Sequence, residues 1–180
     1  MDSSAPRSLS PLVCALVLAG GQGVRAGAAV PKQFVPVGGR PVIAHTLSVF
    51  QSSAPVSHIH VVCAPQWADF VRRTAAEAGV EKLRTLPEAG DTGIHSLLNG
   101  LEELSRFYSD EDPENIWVMT HDSVRPLVTT TIITNNLSVM RQHGNASPPC
   151  KAPKPTWSAP TACRARSWCP AKPCGVPRPP

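Results

Sequence analysis

Acidic residues are missing altogether from residue 145 to the end, and so are histidines. The same 36 residues hold six of the 17 Lys+Arg, ten of the 20 prolines and four of the six cysteines. The first 144 residues are left with eleven basic and thirteen acidic residues. The overall charge of +4 is thus a slightly acidic body carrying a basic tail. A body of that charge, with no interleaved aromatic and basic residues, excludes a nucleic-acid surface. No apolar run approaches the ~20 residues that span a membrane. The tail cysteines (Cys150, Cys163, Cys169, Cys174) contain no C-x-x-C, so neither a zinc site nor a disulfide framework is well supported. The tail also lacks periodicity, and its prolines exclude regular helix or central strand. The expectation is a short N-terminal tail over 1–11, one domain over 12–144, and a disordered Pro/Cys/Arg-rich tail over 145–180.

What is present in the body alternates. A continuous apolar run over 12–18 reads as a buried strand that ends in glycines, with a signal peptide as the alternative. Further strands are expected over 59–63, 83–86 and 116–119, and helices over 41–50, 65–79, 92–107 and 129–143. Trp67 and Phe70, at helical spacing, read as core rather than a stacking platform. This alternation predicts an α/β fold, a Rossmann-like open, mostly parallel sheet whose ligand lies at the carboxyl ends of the strands. Cys14 and Cys63 sit in the apolar runs, the usual place of reduced thiols, and predict a cytoplasmic protein.

Three segments fall at those strand ends. In the first, Gly21-Gln22-Gly23-Val24-Arg25-Ala26 fits G-x-G-x-x-A, the dinucleotide fingerprint. That fingerprint also needs an acidic residue about 20 positions on, and none occurs between Asp2 and Asp69. No Gly-Lys-Ser/Thr follows either, which excludes a P-loop. One reading is a tight turn and nothing more. The other starts from Arg25 and Lys32: glycines admit backbone amides to phosphate oxygens, and two cations neutralise a nucleoside triphosphate. The second segment is 88–96. The third, HDSVRP at 121–126, offers Asp122 as a one-carboxylate Mg²⁺ ligand and Arg125 as a phosphate partner. Its alternative is a turn cap beside a surface arginine. His121 reads as structural, and the other histidines form no metal spacing.

Together these segments resemble the cytidylyltransferases that activate sugar-alcohol phosphates with CTP. The resemblance rests on Ala19-Gly20-Gly21-Gln22-Gly23-Val24-Arg25, on Pro31-Lys32-Gln33-Phe34, on Gly90-Asp91-Thr92-Gly93-Ile94-His95-Ser96, and on His121-Asp122-Ser123-Val124-Arg125-Pro126. The stretches APQWADFVRR and VMTHDSVRPLVT look more like the ribitol 5-phosphate branch than the methylerythritol phosphate branch. The resemblance implies a fold of the nucleotidyltransferase type. It implies that Leu18, Ala19, Gly20, Gly21 and Gly23 cradle CTP with Gly90, Asp91, Thr92, Gly93, Ile94, His95 and Ser96. Ser123 and Arg125 would support that site, Arg25 and Lys32 would be catalytic, and Asp122 would hold Mg²⁺. It further implies CDP-ribitol and pyrophosphate as products, small-molecule substrates, and a homodimer for the intact family. Methylerythritol phosphate is the alternative acceptor, and a non-catalytic CTP-binding fragment is the alternative of another kind.

Two residues depart from the resembled pattern. Gly93 stands where those families carry an arginine, and Ala26 where a methionine is usual. The fold is expected to be incomplete at its C-terminal end. Reading one base upstream, the codons permitted for residues 168–180 allow V-P-R-E-T-V-W-R-A-Q-T-P, similar to an R-x-x-x-W-x-A-Q-T-P segment of those families. A shifted reading frame is therefore expected for the tail, and with it a chain that turns nothing over.

Overall fold

The computed structural model describes residues 11–21 and 30–146. The loop residues Gln22, Gly23, Val24, Arg25 and Ala26 lie outside that description, and so does all but the start of the tail, where disorder was expected. Of the chain's two units, Met1–Pro148 and Pro149–Pro180, the described residues all belong to the first.

The first element is β1 (Leu12–Leu18), five of whose seven residues are buried. Two short strands follow, β2 (Pro36–Val37) and β3 (Arg40–Pro41), paired antiparallel. Their turn is Gly38-Gly39, both with positive φ (58° and 79°), the backbone a tight hairpin requires. The sequence reading does not include this hairpin, because two-residue strands show no alternation. Then come α1 (Val42–Ser52), β4 (His58–Val62), α2 (Ala68–Glu77), β5 (Leu83–Thr85), α3 (Gly93–Phe107), β6 (Ile116–Asp122) and α4 (Thr130–His143).

Every expected strand and helix is present, with shifted ends. Residues 65–67 form a 3-10 turn that leads into α2 rather than its first turn. Thr92 and Thr129 are caps, not helical residues: their hydroxyls accept from His95 N (3.1 Å) and Ile132 N (3.3 Å), satisfying amides the helix leaves open. β6 extends three residues beyond the expected 116–119, because polar Thr120, His121 and Asp122 continue the ladder with β1.

The four main strands form one parallel sheet in the order β5-β4-β1-β6. Side chains alternate across it. On one face, Val13, Ala15, Val17, Ile59 and Val61 pack with Ile43, Leu47 and Phe50 of α1, Val71 and Ala75 of α2, and Ile133 of α4. On the other, Cys14, Leu16 and Val62 pack with Leu104 of α3 and Tyr108 just after it. Each fully buried large side chain stabilises by ~1.5–3 kcal/mol. Trp67 and Phe70 are partly buried core residues, as read from sequence, and both rings pack on Phe34 (centroids 4.6 and 5.1 Å).

The chain leaves β1 toward β4 on one side and returns from β5 to β6 on the other. The strand order therefore reverses between β1 and β6, and their carboxyl ends flank the crevice where such sheets bind ligands.

Candidate active site

β1 and β6 run in register to their last residues, so Leu18 lies opposite Asp122. The Ser123 amide donates to the Leu18 carbonyl (3.0 Å), and the Ala19 amide to the Val62 carbonyl (2.7 Å). After β5 the chain runs beside the end of β4: Cys63 N donates to Pro87 O and Ala89 N to Cys63 O (both 3.0 Å). That path delivers Gly90 to the same place. The Ser96 hydroxyl then closes the turn, accepting from Gly90 N (3.0 Å) and donating to Gly90 O (3.3 Å).

The three segments the sequence singles out thus meet in one cavity of about 550 Å³. Leu18, Gly20 and Gly21 form one wall, Gly90, Asp91, Thr92, Gly93 and Ser96 the second, and Asp122 and Ser123 the third. The first turn of α3 opens onto it. Unpaired amides and the helix dipole make that end attractive to phosphate.

Not every expected residue reaches the cavity. Ala19 is buried, 3% exposed, and contributes backbone only. The Ile94 side chain is 70% exposed, and His95 gives its amide to the Thr92 cap; neither lines the wall. Lys32 is exposed on the turn Lys32–Phe34 beside the cavity. Arg125 lines a neighbouring cavity of about 630 Å³ with Asp122, and its Nε donates to Asp122 Oδ2 at 2.6 Å. Gly23 and Arg25 lie outside the described residues. No Lys or Arg lines this cavity among the described residues, while Asp91 and Asp122 do. At Gly93 a Cβ would meet nothing within 4 Å, so the wall is open where the resembled families place a cation.

Gln33 lines the cavity too, and the sequence reading gave it no role. It is 4% exposed, and its Nε2 donates to Ala19 O (2.7 Å) and Gly21 O (2.9 Å). Phe34, locked against Trp67 and Phe70, fixes its direction. An amide between lysine and phenylalanine just past a glycine loop was the available signal. Gln33→Ala leaves two loop carbonyls short of their donor, a loss of ~1–3 kcal/mol. The urea midpoint of unfolding should fall accordingly, with the far-UV dichroism of the sheet unchanged.

His121 is structural, as expected. Its Nε2 meets the Arg125 carbonyl at 3.1 Å and its ring stands edge-on to Phe50. Burial holds its pKa below the ordinary value.

Residues 13–156 match the family model described as IspD, 2-C-methyl-D-erythritol 4-phosphate cytidylyltransferase. Over 137 residues the chain is 35% identical to a ribitol-5-phosphate cytidylyltransferase of Vibrio parahaemolyticus, covering 76% of this chain and 56% of that one. It is 38% identical to a D-ribitol-5-phosphate cytidylyltransferase of Xenopus tropicalis, covering 74% and 33%. A 2-C-methyl-D-erythritol 4-phosphate cytidylyltransferase of Bacteroides thetaiotaomicron is 34% identical, covering 71% and 55%. Among solved structures, the 4-diphosphocytidyl-2C-methyl-D-erythritol synthase of Anaerococcus prevotii superposes with a TM-score of 0.58 at 22% identity, covering 74% and 52%. The chain spans about half the length of most of these relatives, and a third of the Xenopus protein.

Proposed function

The chain belongs to the IspD family of cytidylyltransferases, and from that premise we propose that its cavity binds CTP and that the whole protein transfers the cytidylyl group to ribitol 5-phosphate. The convergence of three distant segments on one cavity at the N-terminus of α3 carries this reading. The glycine walls at Gly20, Gly21 and Gly90 bring backbone close to the nucleotide, and the α3 amides face its phosphates.

A phosphate oxygen of the acceptor attacks the α-phosphorus in line. The bond from that phosphorus to the bridging oxygen of the β-phosphate breaks, giving CDP-ribitol and pyrophosphate. No covalent enzyme intermediate forms, so positioning and electrostatics supply the catalysis. Lys32, beside the cavity, offsets charge growing at the α-phosphate, a role the resemblance gives to Arg25 as well. Arg125 orients Asp122 and draws negative charge toward the β6 side.

The donors fit a magnesium ion. Asp122 offers a hard carboxylate oxygen at the cavity wall. One carboxylate with substrate phosphates and waters is the usual Mg²⁺ arrangement. When bound there, the ion supplies charge neutralisation to the phosphates.

Ribitol 5-phosphate is favoured by the names of the relatives in Vibrio and Xenopus. Methylerythritol phosphate is the second acceptor reading, carried by the family model. A homodimer of the intact protein and a cytoplasmic setting, supported by the free buried thiols of Cys14 and Cys63, complete the proposal. Calorimetry with Mg²⁺ tests it: CTP binds, ATP and GTP bind at least tenfold more weakly, and Asp122→Asn weakens the Mg²⁺-dependent part about tenfold. Equal binding of all three nucleotides overturns it. Pyrophosphate release with each acceptor then separates ribitol from methylerythritol phosphate. CTP binding with no release from either identifies a binding fragment.

A further inference from the structure

Two walls of the cavity are tied by one side chain each. Gln33 holds Ala19 O and Gly21 O, and Ser96 holds both backbone groups of Gly90. The third wall, at Asp122 and Ser123, is tied from the opposite face of the sheet. Thr46 of α1 is fully buried, and its hydroxyl donates to the Ser123 carbonyl at 2.9 Å, across 77 positions of sequence.

α1 does not need that bond for itself. A helical hydroxyl can bond a carbonyl of the preceding turn. Ser48 and Ser52 of α1 do so, on Ala44 O (2.8 Å) and Val49 O (3.0 Å). Thr134 and Ser138 of α4 do the same, on Thr130 O and Thr134 O. Thr46 instead reaches out of its helix. It stands among Ile43, Leu47 and Phe50 on the buried face of α1. A valine would suit that face, and a hydroxyl there costs free energy unless it is bonded. The β-branched side chain has few rotamers in a helix, which limits where the hydroxyl can point.

The bond sits behind the proposed metal ligand. Side chains alternate along β6. His121 faces α1, where its ring stands edge-on to Phe50 at 5.2 Å, one helical turn beyond Thr46. Asp122 takes the other face and lines the cavity, which Thr46 does not. Within the turn, Arg125 N donates to Asp122 O (3.1 Å) and Arg125 Nε to Asp122 Oδ2 (2.6 Å). That ion pair is 72% exposed at the arginine and 46% at the aspartate, so water and salt screen it. The Thr46 bond is buried, where a hydrogen bond is stronger and an orphaned carbonyl costlier. With Ser123 N donating to Leu18 O (3.0 Å), it holds both backbone groups of the residue after Asp122.

We propose that Thr46 is a positioning residue for the nucleotide–metal site: through the Ser123 carbonyl it fixes the backbone from which Asp122 reaches the cavity. The inference rests on the CTP reading of the cavity and on Asp122 as its Mg²⁺ ligand.

The test is calorimetry of CTP with and without Mg²⁺ on the full 180-residue chain, for the parent, Thr46→Val, Thr46→Ala, Thr46→Ser and Asp122→Asn. Far-UV dichroism checks the folding of each. Thr46→Val and Thr46→Ala should cut the affinity gained from Mg²⁺ about tenfold, the scale on which residues behind a metal ligand act. Metal-free binding should stay within about threefold of the parent, a change of under 1.4 kcal/mol. Thr46→Ser keeps the hydroxyl and should keep the Mg²⁺ gain. The proposal is overturned if a folded variant without the hydroxyl retains the parental gain, or if metal-free binding falls as far as metal-bound. It is overturned too if Thr46→Ser loses as much as Thr46→Val, or if neither variant without the hydroxyl folds, which makes the bond a requirement of the fold alone. A parent that binds no CTP, or that ignores Asp122→Asn, overturns the reading of the cavity and this inference with it. A parent that responds to Asp122→Asn and not to Thr46→Val overturns this inference alone.

Discussion

Valine in place of Gly20 removes measurable CTP binding, a loss on the order of 100-fold, and leaves the sheet folded. A Cβ at position 20 would lie 2.6 Å from Ala89 Cβ and 3.1 Å from Ser96 Oγ. Neither neighbour is free to retreat. Ala89 is held by its amide to Cys63 O (3.0 Å), and the Ser96 hydroxyl is bonded to both backbone groups of Gly90. The glycine loop has to lift instead, and lifting it breaks the two bonds from Gln33 to Ala19 O and Gly21 O. Overpacking of this kind costs ~1–3 kcal/mol, and the upper part of that range is about 100-fold in affinity. Here the cost falls on the wall between two of the three segments that form the cavity. Gly21→Ala is the control for strain in the protein itself, because a Cβ there meets no protein atom within 4 Å and should leave the urea midpoint of unfolding unchanged. Calorimetric titration of the Gly20→Val protein decides the matter. A Gly20→Val protein that binds CTP like the parent shows that this loop is not the wall of the nucleotide site.

The same loop shows how far the sequence reaches. β1, β4 and α2 could be read because burial forces an unbroken apolar run or a helical stripe, and both leave a pattern in one dimension. That 18–21, 90–96 and 121–123 would share one edge also followed, since alternating strands and helices admit few topologies. What escaped is what depends on the partner of a residue. His121 and Asp122 look like loop, and they are strand only because β1 runs opposite them to Leu18. Gln33 looks like a polar surface residue, and it is buried because two carbonyls of a distant loop need its amide. Leu98 and Leu101 are apolar at helical spacing in α3 and are nonetheless 55% and 38% exposed, because an apolar stripe in one dimension does not tell a covered face from an open one. Arg25 and Gly23, central to the reading of the glycine loop, lie outside the described residues, and their roles rest on the resemblance.

Acidification from pH 6.5 to 4 should destabilise the folded body by about 3 kcal/mol through His60 alone. His60 is fully buried on β4. Its Nδ1 meets Thr85 Oγ1 at 2.8 Å and its Nε2 the Tyr108 hydroxyl at 2.9 Å; the same hydroxyl meets His58 Nδ1 at 2.7 Å. A second proton on His60 would place a charge where water does not reach. Burial first, then His58 and Arg84, push its pKa down to about 4. His58 and His121 are lowered too, each mainly by burial, so they act with the same sign. An unfolded chain titrates these rings near the ordinary 6.5. Above that pH both states are neutral and the full stability is present. Below it the unfolded chain takes up protons the folded chain refuses, and stability falls until His60 itself protonates near pH 4. Against a typical total of ~5–15 kcal/mol, the loss is large. The measurement is the urea midpoint from pH 8 to pH 4, for the parent and for His60→Asn. The variant starts lower, because Thr85 and Tyr108 lose partners, and its midpoint should fall less steeply below pH 6.5. Parallel slopes for the two proteins would mean that His60 takes up its proton as readily folded as unfolded, and would remove the buried Tyr108 network as the source of acid sensitivity.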